Sequence, residues 1–269
     1  MEIHLIDLHS HILPGLDDGS PDMETSLDMA RMAAADGIVV MACTPHMMPG
    51  VYDTTSLAIH ERVQALQREL LAAHIPLKVV AGCEAHMRPD FIQGLKSERI
   101  LTINESRYVL FETPLEVTPP RLEELLFSIM VSGFVPILTH PERLKWIETN
   151  FPIIERLFAS GVWMQITAQS LTGHFGRRPQ YWAEKMLGQG MVHILATDAH
   201  NLTSRPPVLS KAYDVASAAI GPQEALHLVM TRPANILDNE PIEKSPPVVA
   251  VVRVTGEPNS VWRRWLKVG

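Results

Sequence analysis

The chain has 269 residues, 46% of them hydrophobic and 20% charged, with a formal net charge of −7. That is the balance of a soluble globular protein large enough for one big core or two small ones, and its acidity argues against nucleic-acid binding by bulk charge. Cys43 and Cys83 are the two cysteines, too few for a disulfide framework, so a reducing compartment is expected. The start of the chain lacks a basic region followed by an apolar core, and no apolar run reaches the ~20 residues of a membrane helix. The expectation is a cytoplasmic protein that does not span a membrane.

Seven short apolar, β-branched runs recur in order, at residues 3–8, 38–43, 77–82, 108–111, 135–139, 162–167 and 192–197. Near-continuous apolar runs suit parallel strands buried on both faces. Helices are predicted between most of them. Ser20-Pro21 reads as an N-cap with proline at the first helical position, for a helix running to Asp36 and stopped by Gly37. Further helices are expected at 56–73, 121–132, 152–160, 179–187, 208–220 and 223–230. Strand-helix repetition without a Gly-rich dinucleotide loop predicts an α/β fold, a distorted (β/α)7 TIM-like barrel. The barrel is expected over residues 1–240, with an extension at 241–269 of unassigned role. Within that extension residues 248–254 read as a strand and 261–267 as a basic, aromatic segment.

Barrel enzymes carry their chemistry at the C-terminal ends of the strands. The first run is followed by Asp7-Leu8-His9-Ser10-His11 and then Asp17-Asp18-Gly19. Alternation along a strand points His9 and His11 the same way, with His4 on the opposite face. The second run ends in Thr44-Pro45-His46, the third in Gly82-Cys83-Glu84 and the fourth in Phe111-Glu112. The fifth ends in His140-Pro141-Glu142-Arg143 and the seventh in Thr197-Asp198-Ala199-His200. The sixth, Met164-Gln165-Ile166-Thr167, offers only neutral polar groups. A single histidine after a strand is usually a solvated loop residue. So many imidazoles and carboxylates in the same relative place predict a metal site. Both cysteines lie one residue before a strand-end group and read as small buried apolar residues. Neither is followed six positions on by the arginine that a cysteine phosphatase needs.

The order D-x-H-x-H, D-D-G, T-P-H, G-x-E, strand-end Glu, H-P-E-R and T-D-A-H resembles the PHP (polymerase and histidinol phosphatase) superfamily. More narrowly it resembles the bacterial PHP-type protein tyrosine phosphatases of capsule and exopolysaccharide biosynthesis. The narrower likeness rests on residues 7–19, on Asn104-Glu105-Ser106-Arg107-Tyr108, and on Asp198-Ala199-His200-Asn201-Leu202 followed by Arg205-Pro206-Pro207. The resemblance implies three divalent metal ions, Mn or Fe before Zn or Co. It implies as ligands His9, His11, Asp18, His46, Glu84, Glu112, His140, Asp198 and His200. It implies hydrolysis of phosphotyrosine by a metal-bound hydroxide, with Arg143 and Arg205 clamping the phosphate and Asp198 and His200 as the groups to consider for proton transfer. The implied partner is a phosphotyrosine-containing protein, a membrane-anchored bacterial tyrosine kinase, and a homo-oligomer is compatible with the family.

Some assignments stay open on sequence alone. Arg143 could instead pair with an acid such as Glu142, and Arg88 is a weaker third cation. His86 is expected at the rim, Asp7 as a group orienting a ligand histidine, and Asp17 competes with Asp18. His60, His74, His174, His193 and His227 read as structural. The rival functions are a PHP phosphoesterase on a small substrate such as histidinol phosphate, and a non-catalytic metal-binding regulator.

Overall fold

The computed structural model describes residues 4–250. The strands are β1 (Leu5–Ser10), β2 (Ile38–Cys43), β3 (His46–Met47), β4 (Lys78–Ala81), β5 (Glu84–His86), β6 (Tyr108–Glu112), β7 (Val135–Thr139), β8 (Trp163–Thr167) and β9 (Ile194–Ala196). The helices are α1 (Met23–Ala35), α2 (Ser56–Ala72), α3 (Phe91–Lys96), α4 (Leu122–Val131), α5 (Ile147–Ala159), α6 (Ala168–Leu171), α7 (Arg177–Gly188), α8 (Ser210–Ile220), α9 (Pro222–Leu226) and α10 (Arg232–Leu237). The result is an α/β fold in which every strand pairing is parallel. None of the helices among the described residues is long and apolar enough to cross a membrane.

The strands form two sheets, ordered β1-β2-β4 and β3-β5-β6-β7-β8-β9. The division is shallow. β3 follows β2 after Thr44-Pro45 and β5 follows β4 after Gly82-Cys83, and the ladder crosses both breaks through Gly82 N–H to Cys43 O (3.1 Å) and Glu84 N–H to Pro45 O (3.1 Å). Beyond β9 the chain bonds back to the first strand. His11 N–H donates to Ala199 O and Asp198 N–H to His9 O, both at 2.8 Å. The second and third expected strands thus stand as β2 and β4, each followed by a short further strand, β3 and β5, where the chain turns into the site.

Alternation along the strands sorts side chains into two apolar layers. Ile6, Leu8, Ala42, Val80, Tyr108, Leu110, Val135, Ile137, Trp163 and Ile194 form one cluster. Val109, Phe111, Leu138 and Met164 face the other way, into the larger core shared with the helices. In step with the first cluster, further along β6 and β8, stand Glu112 after Leu110 and Gln165 after Trp163.

Several helix boundaries differ from expectation. The cap of α1 is Asp22, whose carboxylate accepts from Thr25 N–H at 2.8 Å, because Ser20 is drawn instead to Ser26 and to the Asp22 carbonyl. α5 starts before Pro152, with the helix kinked at Asn150, where the missing proline N–H weakens the ladder. After α9 the chain takes a π turn over His227–Thr231 before α10. α3 and α6, each under two turns, leave no periodic signal.

The segment after α10 is fastened to the domain. Arg232, with its side chain fully buried, donates to Pro246 O (2.9 Å) and Pro247 O (2.8 Å) and pairs with Glu224 at 2.7 Å. Tyr108 Oη donates to Glu240 O at 2.9 Å. A short 3-10 turn, Ile242–Lys244, interrupts the proline-rich stretch. Of the strand expected at 248–254, residues 248–250 have no regular structure; the remainder and the 261–267 segment lie outside the described residues.

His193 stacks on Trp163 (centroids 4.7 Å apart) and its Nδ1 accepts from Met164 N–H at 3.0 Å. Burial, with the nearby Arg232 charge, pushes its pKa down to about 3. The unfolded chain binds a proton at this residue near pH 6.5 and the folded chain does not until about pH 3, so stability falls as pH is lowered through that window. The unfolding free energy from denaturant titrations at pH 6 to 4 should therefore fall more steeply for the natural protein than for His193→Gln, by about 1.4 kcal/mol per pH unit. Parallel profiles would show that His193 does not carry the effect.

Candidate metal centre

The strand ends bring His9, His11, Asp18, His46, Glu84, Glu112, His140, Asp198 and His200 to one place. Two of these residues reach it through strained backbone. His140 (φ 36°) and Asp198 (φ 54°) lie in the left-handed region at the ends of β7 and beyond β9, a conformation that non-glycine residues adopt at a cost and that redirects their side chains. The loop after β1 relies on a close approach instead. A Cβ on Gly19 would stand 2.1 Å from the His11 carbonyl oxygen and 2.5 Å from the His11 Cβ, so only glycine lets Asp17 and Asp18 fold back over His11.

Glu84 is the centre of the cluster. Its Oε2 lies 3.3 Å from His9 Nε2, 3.5 Å from His11 Nε2 and 3.1 Å from His46 Nδ1, and its Oε1 lies 2.9 Å from His140 Nε2. Asp198 Oδ1 lies 3.4 Å from both His9 Nε2 and His11 Nε2. Glu112 Oε2 is 3.5 Å from His46 Nδ1 and 3.2 Å from His86 Nδ1, which sets His86 against a cluster carboxylate. Asp18 Oδ1 faces His46 Nε2 at 3.6 Å and His200 Nε2 at 3.5 Å.

The outer contacts decide which nitrogen each ring presents. The His9 Nδ1–H donates to Gln165 Oε1 at 2.9 Å, the His11 Nδ1–H to Asp17 at 2.6 Å and the His200 Nδ1–H to the Asp198 carbonyl at 2.9 Å. Each leaves Nε2 free to face inward, as in a metal-bound imidazole. Asp17 also accepts from His46 N–H at 2.8 Å, so it supports the site while Asp18 enters it. Asp7 does not orient an imidazole. Its carboxylate accepts from the Thr197 hydroxyl, from Thr197 N–H (3.0 Å) and from His9 N–H (3.3 Å), fixing the backbones of β1 and β9; burial raises its pKa to about 6. Gln165 is the contributor that the sequence concealed, since a neutral amide at the end of an apolar strand carries no mark of its partner.

Charge is strongly organised. Burial pushes the Glu84 carboxyl up, but His9, His140 and His11 outweigh it and hold it well below the ordinary range. Asp198 behaves alike, with His9, Arg205, His11 and Arg143 outweighing burial. Arg143 Nη1 lies 2.6 Å and Arg205 Nη2 2.5 Å from Asp198 Oδ2. The acid that Arg143 meets is therefore Asp198 rather than Glu142, which accepts instead from Thr167 N–H at 3.0 Å. Arg88 is spent on Asp90, at 2.5 and 2.9 Å. Both cysteines are buried, and burial raises the Cys83 thiol to about 12.

The donor set fits divalent cations. His9 Nε2 and His11 Nε2 face each other at 3.2 Å, and with both Nδ1 protons committed elsewhere this pair needs a shared proton or a cation between them. Glu84 Oε2, Asp198 Oδ1, His46 Nδ1 and His200 Nε2 are buried without a hydrogen-bond partner, an arrangement that a bound cation would satisfy. Three overlapping groups of donors converge closely enough to hold an ion: His11, Asp18, His46 and His200; His9, His11, Glu84 and Asp198; and His46, Glu84 and Glu112. Mixed imidazole and carboxylate suits first-row divalent ions.

Comparison with known proteins agrees with this picture. A family described as "Capsular polysaccharide synthesis, CpsB/CapC" matches residues 5–238. The chain is 33% identical over 243 residues to the tyrosine-protein phosphatase YwqE of Bacillus subtilis, covering 90% of this chain and 95% of that one. It is 28% identical over 243 residues to the tyrosine-protein phosphatase CpsB of Streptococcus pneumoniae, covering 87% and 98%. Among solved structures it superposes with a TM-score of 0.85, at 32% identity over 91% of this chain and 99% of the other, on one from the crystallographic work on YwqE and CpsB, described there as metal-dependent tyrosine phosphatases. The phosphotriesterase homology protein of Escherichia coli shares the fold, with a TM-score of 0.57 at 10% identity, over 88% of this chain and 99% of that one.

Two substitutions test the outer contacts. Gly19→Ala should displace His11, and Gln165→Leu should release the His9 ring. Each should weaken divalent metal binding by about 10- to 100-fold, read by metal titration with a competing chelator. Unchanged affinity in Gly19→Ala would mean that the loop yields without moving His11.

Proposed function

Because this chain belongs to the CpsB/CapC family of capsular polysaccharide synthesis proteins, we propose that it is a metal-dependent phosphatase hydrolysing phosphotyrosine in protein. The observation that carries this reading is the convergence of eight strand-end donors in three groups, with His140 2.9 Å from Glu84, beside two arginines that meet on one carboxylate oxygen. In this reading His9, His11, Asp18, His46, Glu84, Glu112, His140, Asp198 and His200 hold three divalent ions, Mn or Fe before Zn or Co. The three overlapping donor groups support that number. Such ions supply an activated water and a counter-charge for a phosphoryl group.

The chain's own groups take the remaining parts. Arg143 and Arg205 present planar forks matched to phosphoryl oxygens. Asp198 anchors both and is held ionised, so it serves as ligand and anchor rather than as an acid. His200, whose pKa is lowered by burial and by the His11 charge, stays neutral with Nε2 turned to the cluster. A phenolate leaving group, with a parent pKa of about 10, departs without obligatory protonation.

The same reading takes the two abutting sheets as one distorted (β/α)7 barrel, supported by the bonds that join β9 back to β1. It assigns residues 1–240 to the catalytic domain and 241–269 to an extension. The family match suggests as substrate a phosphorylated bacterial tyrosine kinase of capsule or exopolysaccharide synthesis, reached from the cytoplasm.

Phosphate release from a tyrosine-phosphorylated peptide should require added Mn²⁺ and stop with chelator. Arg205→Ala should lower kcat/KM by about 100-fold, as loss of a transition-state charge partner does. Metal-dependent turnover of histidinol phosphate but not of the peptide would replace the tyrosine phosphatase reading.

A further inference from the structure

Beside the metal centre, between the ends of β3 and β5, lies a cavity of about 210 Å³ lined by Met47, Pro49, Tyr52, Asp53, Thr54 and Arg88. The cluster's function does not account for it. It is small against the ~300–1,000 Å³ of a site for a drug-sized ligand, a scale suited to a single ring. Its polar walls are already engaged. Arg88 is held by both oxygens of Asp90, and Asp53 accepts from Gly50 N–H at 2.8 Å. Thr54 donates to Leu16 O at 3.4 Å. A ligand there meets a thioether, a proline and a phenol ring beside these engaged polar groups.

Tyr52 is placed there by the local chain. Met48 and Tyr52 pair across a tight turn, with Tyr52 N–H to Met48 O at 2.8 Å and Met48 N–H to Tyr52 O at 3.2 Å, and Gly50 takes the positive φ of 80° that the turn requires. The Tyr52 ring lies parallel to that of His46, 11° from coplanar with centroids 5.4 Å apart. His46 is itself a cluster donor, so the cavity begins where the cluster ends.

Resting on the phosphatase reading, we propose that this cavity seats the aromatic ring of the phosphate ester against Tyr52, Met47 and Pro49 while its phosphoryl group sits on the cluster. Tyr52 then sets the preference for aryl over alkyl phosphates. Ring-on-ring and sulfur-ring contacts favour an aryl group and give an alkyl group little to meet.

The test uses the Mn²⁺-loaded full chain and two unreactive probes, phenylphosphonate and methylphosphonate, with affinities measured by calorimetry. Tyr52→Ala should weaken phenylphosphonate roughly fivefold to tenfold more than methylphosphonate, and Tyr52→Phe should keep the natural ratio. An equal change for both probes would reduce Tyr52 to a support for His46, and no change would empty the cavity of a role; either overturns the proposal. Turnover of phosphotyrosyl peptide by the natural protein is followed in parallel. Its absence overturns the phosphatase reading and this one with it, whereas turnover with an unchanged affinity ratio in Tyr52→Ala overturns the cavity's role alone.

Discussion

Two imidazole nitrogens facing each other at 3.2 Å set the terms for the rest of this protein. His9 and His11 each commit Nδ1–H to an outer acceptor, Gln165 and Asp17, and turn lone pairs toward one another. Such a pair is repulsive unless a cation lies against it. A proton shared between the two nitrogens also relieves it, and the carboxylates of Asp17, Glu84 and Asp198 hold both imidazole pKa values up against burial, so a metal ion competes with a proton for this place. The ionised carboxylates of Glu84 and Asp198 sit within 3.5 Å of the same nitrogens. Removed from water, they need the same compensation.

The fold delivers these groups by simple means. An apolar column rises along β6 and β8, and the first residue past it in the same phase serves the site: Glu112 above Leu110 as a donor, Gln165 above Trp163 as the acceptor that orients His9. Where phase alone fails, backbone conformation corrects it, through left-handed His140 and Asp198 and through the close packing of Gly19 on His11. Asp7 holds the seam by binding the start of the site in β1 to its end beyond β9. Strain and burial of polar groups are gathered at one end of the strands, and the layers beneath are apolar.

The donor set was legible in the sequence because each donor ends or follows an apolar run, and six of seven runs ending alike are a pattern. The helices were legible where long, as at Ser56–Ala72, and misplaced where a proline or a competing cap intervened, as at Asp22 and Pro152. What stayed hidden was pairing between distant segments. Gln165 and His9 are 156 residues apart, and nothing local marks an amide as an imidazole's partner. Asp17 and Asp18 differ only in which way the loop turns them, which the packing of Gly19 decides. The short strands β3 and β5 went unmarked because two or three residues beyond Thr44-Pro45 and Gly82-Cys83 are too few to leave a hydrophobic pattern.

The balance of charge links the cluster to its substrate. Four carboxylates, Asp18, Glu84, Glu112 and Asp198, stand where a phosphate dianion must come, and the chain as a whole is acidic, at −7. Against them the protein sets Arg143 and Arg205, both already drawn to Asp198 Oδ2. The protein's own groups therefore repel the phosphoryl group they are arranged around. In the proposed reading, divalent ions on the inward-facing oxygens would reverse that sign and weaken the hold of Asp198 on the two guanidinium groups, freeing them for phosphoryl oxygens. Metal loading and phosphate binding would then be one thermodynamic unit, with the arginines acting as clamps only in the loaded site.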